Sequence, residues 1–175
     1  MDVVLETLRS EFSDLADPAA LTRIVLRLVV AVALAAVIGY ERELRGTAAG
    51  LRTHMMVGLG VALLVATMSE SHMEPAEVSR VIQGILAGIG FLGAGAIIKQ
   101  DEKEQVKGLT TAASIWTTAA IATAAGLGRE ATAIVATVLA IVILALLLRL
   151  ERHMARRRGA SDDPARAGPH DRDAR

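Results

Sequence analysis

The charges of this chain are segregated from its apolar residues, and no other feature of the sequence restricts the fold so strongly. They crowd the first twenty residues, a few short connectors and the last twenty-five or so, and the long stretches between carry almost no ionisable group. A soluble domain intersperses charge along every helix, so the blockwise pattern points to lipid as the solvent. The chain is about one domain long at 175 residues, and its zero net charge carries less information than the distribution. It has no cysteine, which excludes disulfides, thiolate metal sites and thiol redox chemistry. One Trp, one Tyr and two Phe provide neither an aromatic belt nor a base-stacking platform, so no nucleic-acid partner is expected.

A spanning helix needs roughly 20 mostly apolar residues. Five segments approach that length: Leu21 to Tyr40, Thr53 to Ser69, Val81 to Ile98, Leu109 to Gly128 and Ala131 to Leu148. The expected fold is all-α, a polytopic membrane bundle of about five transmembrane helices over residues 20–150. Loop lysines and arginines set its orientation. Arg42, Arg45, Arg52, Lys99, Lys103, Lys107 and the arginines from Arg149 onward fall on one side, which is therefore cytoplasmic. Arg9, Arg23, Arg27, Arg80 and Arg129 fall on the other. The N-terminus then lies outside and the C-terminus inside. Arg23 and Arg27, in the opening turns of the first span, are read as snorkelling to headgroups, the alternative being that Arg27 faces the bundle interior.

Residues 1–19 read as an amphipathic helix lying on the outer membrane surface, since Val4, Leu5, Leu8, Phe12, Leu15 and Ala16 recur at helical spacing. No basic n-region or cleavage site marks a signal peptide. Asp17-Pro18 supplies an N-cap and a first-turn proline for the first span. At the other end, residues 151–175 continue a basic segment and then become too poor in apolar residues to fold. The basic part is expected along anionic headgroups, at roughly 1 kcal/mol per basic residue.

Within the spans, Gly84, Gly88, Gly90, Gly93 and Gly95 stand out. Gly88-Ile89-Gly90-Phe91-Leu92-Gly93 matches a dinucleotide fingerprint as text, but no strand precedes it and the run is inside an apolar span. As helix-packing residues, Gly84, Gly88 and Gly95 share one stripe with Phe91, and Gly90 and Gly93 share a second. Two stripes predict close neighbours on two sides, placing the third span centrally in the bundle. In the fourth span Thr110, Thr111, Ser114, Thr117 and Thr118 lie within about 120° of arc, with Trp116 pointing away. Those hydroxyls either bond to their own helix and its neighbours or line a polar cavity, and in both readings the face points inward. Glu41 sits at the end of the first apolar run, where a carboxylate needs a partner, and Arg42, Arg45 and Arg52 are the candidates. His54, at the same interface, is expected to be solvated.

The connector and two later segments together form a pattern. Gly39-Tyr40-Glu41-Arg42-Glu43 with Ala49-Gly50-Leu51-Arg52-Thr53-His54-Met55, then Gly88 to Gly95, then Val106-Lys107-Gly108-Leu109-Thr110-Thr111-Ala112-Ala113-Ser114-Ile115-Trp116, resembles the three motifs of the MgtC/SapB family of bacterial membrane proteins, over roughly residues 20–150. The resemblance implies a multi-pass protein of the bacterial inner membrane associated with magnesium homeostasis. It implies action through other membrane proteins, the proton-translocating ATP synthase among them, rather than magnesium carriage. The best-known members carry a cytosolic ACT-like domain after the last span. Here 25 mostly polar residues follow Leu150, so a short form lacking that domain is expected.

No nucleophile–base pair, paired intramembrane aspartates or zinc motif is legible, so no enzymatic activity, cofactor or metal site is expected. The expected functional cluster is Glu41, Arg42, Arg52, Thr53, Thr110 and Thr111 at the cytoplasmic face, clamping spans one, two and four and presenting a surface to a partner. Self-association is left open. The alternative is a transporter or channel for magnesium or another ion. Against it, no span carries a mid-membrane carboxylate. The acidic outer loop Glu70 to Glu77 reads as solvated.

Overall fold

A computed structural model of the chain describes residues 2–12, 17–70, 73–100 and 105–161. Helix α1 covers Asp2–Glu11, α2 Pro18–Leu44, α3 Leu51–Glu70, α4 Pro75–Gly95, α5 Leu109–Gly126 and α6 Glu130–Ser161. Between α4 and α5 lies a small hairpin, β1 Ile98–Gln100 and β2 Gln105–Lys107, paired antiparallel with Lys99 opposite Val106. The hairpin is an addition to the all-α expectation. The chain divides into two compact units, Met1–Ala140 and Ile141–Arg175. The second continues α6 as helix through Ser161, so the basic segment after Arg149 is helical in its backbone; residues 162–175 of the expected tail lie outside the described ones.

Local sequence explains the element boundaries. Asp17 caps α2, its Oδ1 accepting the N–H groups of Ala19 (2.9 Å) and Ala20 (3.2 Å), with Pro18 in the first turn. Pro75 opens α4 in the same way. The hairpin enters α5 through Gly108, at φ +97°, where a Cβ would sit 2.0 Å from the Ala96 carbonyl oxygen. Only glycine fits both that torsion and that approach. Helix α1 leaves Val4, Leu5 and Leu8 exposed, as is Phe12 just beyond it, while Leu15 and Ala16 of the expected apolar face lie outside the described residues.

Among the described residues, three helices are long and apolar enough to cross a bilayer by length and composition: Pro18–Leu44, the Leu51–Ser69 part of α3, and Pro75–Gly95. Helix α5 is not the fourth of that kind. It has 18 residues, rich in Thr and Ala, and packs on α2, α3 and α4. Nine of its residues are buried, among them Ala119, Ala122 and Ala125. The centre of the bundle is thus α5, and the expected centrality of the third span is corrected: α4 is peripheral, with only Ile89 and Gly93 buried. In lipid the inner and outer faces of a helix are both apolar, so a helix's hydropathy does not tell a surrounded helix from a marginal one.

The glycines follow the same correction. A Cβ on Gly84, Gly88, Gly90 or Gly95 would meet nothing within 4 Å, and only Gly93 faces a neighbour, Ala112 at 3.6 Å. Close helix approach is made elsewhere. Gly58 lies where a Cβ would be 2.7 Å from Ala35 Cβ, joining α3 to α2. Gly126 would meet Val65 Cβ at 2.8 Å and the Ala62 carbonyl at 3.0 Å, joining α5 to α3. Small residues at these crossings let backbones touch, the main attractive device between helices in lipid.

Candidate functional site

The last turns of α2, the first turns of α3 and the first turns of α5 meet at one end of the core. Gly39 permits this, since a Cβ there would be 2.8 Å from Leu51 Cα. The connector folds tightly back. Gly46 takes φ +62°, the Thr47 hydroxyl lies 3.0 Å from the carbonyls of both Arg42 and Ala49, and the Glu43 carboxylate accepts the Leu51 N–H at 2.9 Å. Glu43 thereby places a negative charge at the N-terminus of α3, where the helix dipole favours it.

Into this junction α2 projects an ion-pair cluster. Glu41 accepts from Arg45 one turn later and lies 3.7 Å from Arg42, so two guanidinium groups share one carboxylate. Arg42 is only 4% exposed and reaches α5, where its Nη2 donates to Thr111 Oγ1 at 3.5 Å. Arg42 Nε and Glu41 Oε2 are buried without a hydrogen-bond partner among the described residues. A buried ion pair held by few hydrogen bonds adds little net stability, while removal of one member leaves an uncompensated charge.

Beside it, α3 contributes His54, whose expected solvation is overturned: it is 0% exposed. Its Nδ1–H donates to the Gly50 carbonyl at 2.8 Å, and its Nε2 lies 3.2 Å from Ser114 Oγ on α5. The Ser114 hydroxyl is also 2.8 Å from the Thr111 carbonyl, and the Thr118 hydroxyl donates to the Ser114 carbonyl at 2.9 Å. His54 and Ser114 have the atoms of a base and a nucleophile, a pairing invisible in the sequence. Both are sealed inside a helix contact, where the pair ties α3 to α5.

Of the six residues expected to cluster, the structure brings together Glu41, Arg42 and Thr111. Arg52, Thr53 and Thr110 are exposed. Once His54 is turned inward, its two preceding residues point roughly 100° and 200° away around the helix, so Arg45 takes the place proposed for Arg52 at Glu41. The α5 hydroxyls mostly bond to their own helix, as Thr117 does to Ala113 and Thr123 to Ala119, while Trp116 points out at 49% exposure. At the opposite end of the core, Arg27 faces inward: its Nη1 donates to the Gly126 carbonyl at 3.4 Å and its guanidinium packs on Gly128. That favours the interior alternative over snorkelling. Among the described residues no group of three or more His, Asp or Glu is placed to hold a metal ion. Ser71 and His72 of the acidic loop lie outside the described residues.

A family model described as the MgtC family matches residues 28–153. The chain is 37% identical over 137 residues to the SrpB protein of Synechococcus elongatus, covering 72% of this chain and 75% of that protein. It is 35% identical over 136 residues to an Escherichia coli protein named "Putative magnesium transporter YhiD", covering 72% of this chain and 61% of YhiD. It is 41% identical over 125 residues to the MgtC protein of Salmonella typhimurium, covering 71% of this chain and 52% of MgtC. The chain therefore spans less than two thirds of the length of YhiD and of MgtC. No solved structure matches it significantly.

Proposed function

The chain belongs to the MgtC family, and on that premise we propose that it is a multi-pass protein of the bacterial inner membrane that regulates magnesium homeostasis without turnover chemistry, through contact with other membrane proteins. In this reading α2, α3, α4, α5 and the apolar start of α6 make five crossings, N-terminus outside and C-terminus inside. Helix α5 does not need the apolarity of a lipid-exposed span, because α2, α3 and α4 surround it. At 18 residues it is about 27 Å long, close to the roughly 30 Å of hydrocarbon.

The observation that carries the regulatory reading is the tight closure of the core around α5. Ala62, Ala66, Ala119, Ala122 and Ala125 are all 0% exposed, and Gly126 and Gly58 bring backbones into contact. The polar groups of the core are engaged in joining helices, as His54 is with Ser114 and Arg42 with Thr111, and do not form a row along a passage. The Glu41–Arg42 junction on the cytoplasmic side is then the element that sets the surface a partner meets. By the family resemblance, the proton-translocating ATP synthase is a first partner to test.

A transporter is the second reading, favoured by the name that the relative YhiD carries. Reconstitution separates the two. Proteoliposomes holding the purified chain should show no magnesium flux above empty vesicles, while crosslinking in membranes should capture a partner from the wild-type chain and not from Glu41→Ala. Magnesium flux that scales with protein content would replace the regulatory reading with the transport one.

A further inference from the structure

Counting hydrogens at His54 shows that the junction has room for one more proton. The Gly50 carbonyl can only accept, so Nδ1 carries a hydrogen. Ser114 has a single hydroxyl hydrogen and two neighbours within reach, the Thr111 carbonyl at 2.8 Å and His54 Nε2 at 3.2 Å. If the hydroxyl donates to Nε2, the imidazole is neutral. If it donates to Thr111, Nε2 must itself donate to Ser114 Oγ, and the imidazole is a cation. One rotation of one hydroxyl converts the first pattern into the second, and every group stays bonded in both.

The added charge would not be indifferent to its surroundings. The charged groups facing His54 are Arg42 and Glu41 of α2. From α5 the neighbouring side chains are the uncharged Ser114, Thr111 and Thr118. Glu43 is engaged with the Leu51 N–H and Glu41 is already shared between Arg42 and Arg45, so an imidazolium would add a third cation beside a carboxylate that holds two guanidinium groups. The weakest tie there is the 3.5 Å bond from Arg42 to Thr111, the link between the end of α2 and the start of α5.

We propose that His54 is a proton-operated latch: uptake of a proton at Nε2 turns the Ser114 hydroxyl toward Thr111, repels Arg42 from Thr111, and parts the end of α2 from the start of α5. The proton linkage stands on the junction geometry alone. Its consequence for a partner rests on the regulatory reading above.

The chain has no cysteine, and Leu44 and Leu109, at the end of α2 and the start of α5, are 70% and 60% exposed. Spin labels on the full chain carrying Leu44→Cys and Leu109→Cys, in nanodiscs of phosphatidylethanolamine and phosphatidylglycerol, therefore report the gap directly. As pH is lowered from about 8 to about 4 the interlabel distance should lengthen with one-proton steepness, and in a His54→Gln background that step should be lost. Histidine nitrogen NMR of the unsubstituted chain gives a measurement that does not depend on the variant folding. His54 should take up a proton over the same pH interval as the distance change. A distance that does not move with pH, one that moves equally in His54→Gln, or a His54 ring that keeps one protonation state throughout would overturn the latch. No partner or magnesium enters these measurements, so they stand or fall separately from the regulatory reading.

Discussion

His54 and Ser114, sixty positions apart in the chain, meet Nε2 to Oγ at 3.2 Å inside the contact between α3 and α5. This bond joins the first turns of two core helices at the point where Arg42 arrives from a third. Removing the imidazole takes away two side-chain hydrogen bonds at once, although the Gly50 carbonyl keeps the His54 backbone N–H (3.2 Å) and the Ser114 hydroxyl keeps the Thr111 carbonyl (2.8 Å).

His54→Ala should therefore destabilise the bundle by about 1–3 kcal/mol, through two lost hydrogen bonds and the void left by the buried ring. Ser114→Ala should cost less, about 1 kcal/mol, since it removes a hydroxyl and strands only one ring nitrogen. Thermal unfolding in a mild detergent, comparing the two variants with the parent chain, checks both the size and the order.

Glycine substitutions should divide by location. Gly58→Ala and Gly126→Ala each press a methyl into a neighbour less than 3 Å away and should destabilise by about 1–3 kcal/mol through overpacking. Gly84→Ala and Gly88→Ala meet open space and should change the stability of the isolated chain by no more than about 0.5 kcal/mol, or raise it. The same unfolding assay applied to all four separates crossing glycines from outward ones.

Arg27 should act as a cap for α5. Its bond to the Gly126 carbonyl places a cation at the C-terminal end of that helix, where such an interaction contributes about 0.3–1 kcal/mol at the surface and up to about 2 kcal/mol when partly buried. Arg27→Leu should lower stability by that amount and raise amide exchange in residues 123–126, and Arg27→Lys should recover part of the loss. Exchange mass spectrometry resolves the local effect from a global one.

What the sequence foretold and what it concealed divide along a physical line. The five apolar runs each became a helix, and Asp17-Pro18 opened α2 as expected, because length, apolarity and capping are local properties. The place of each helix in the bundle is not local. The glycine-rich α4 looked central and is peripheral, while the threonine-rich α5 is surrounded, since small residues permit close packing without requiring it. Glu41, Arg42 and Thr111 could be joined from their positions at the ends of apolar runs. His54 could not: its burial depends on the rotation of α3, which is fixed by Gly39 and Gly58 against α2 rather than by anything in its own neighbourhood. The hairpin strands, at three residues each, are too short for an alternating pattern to be seen.

In the regulatory reading, the tie from the Glu41–Arg42 pair to Thr111 governs function in the membrane. Its most direct test is growth under magnesium limitation of a strain whose own copy is deleted and replaced by the parent chain, Glu41→Gln or Arg42→Gln, each confirmed at equal membrane abundance. Both variants should fail to restore growth while the exposed-site control Thr53→Ala restores it fully. Full restoration by Glu41→Gln and Arg42→Gln at matched abundance would contradict that reading.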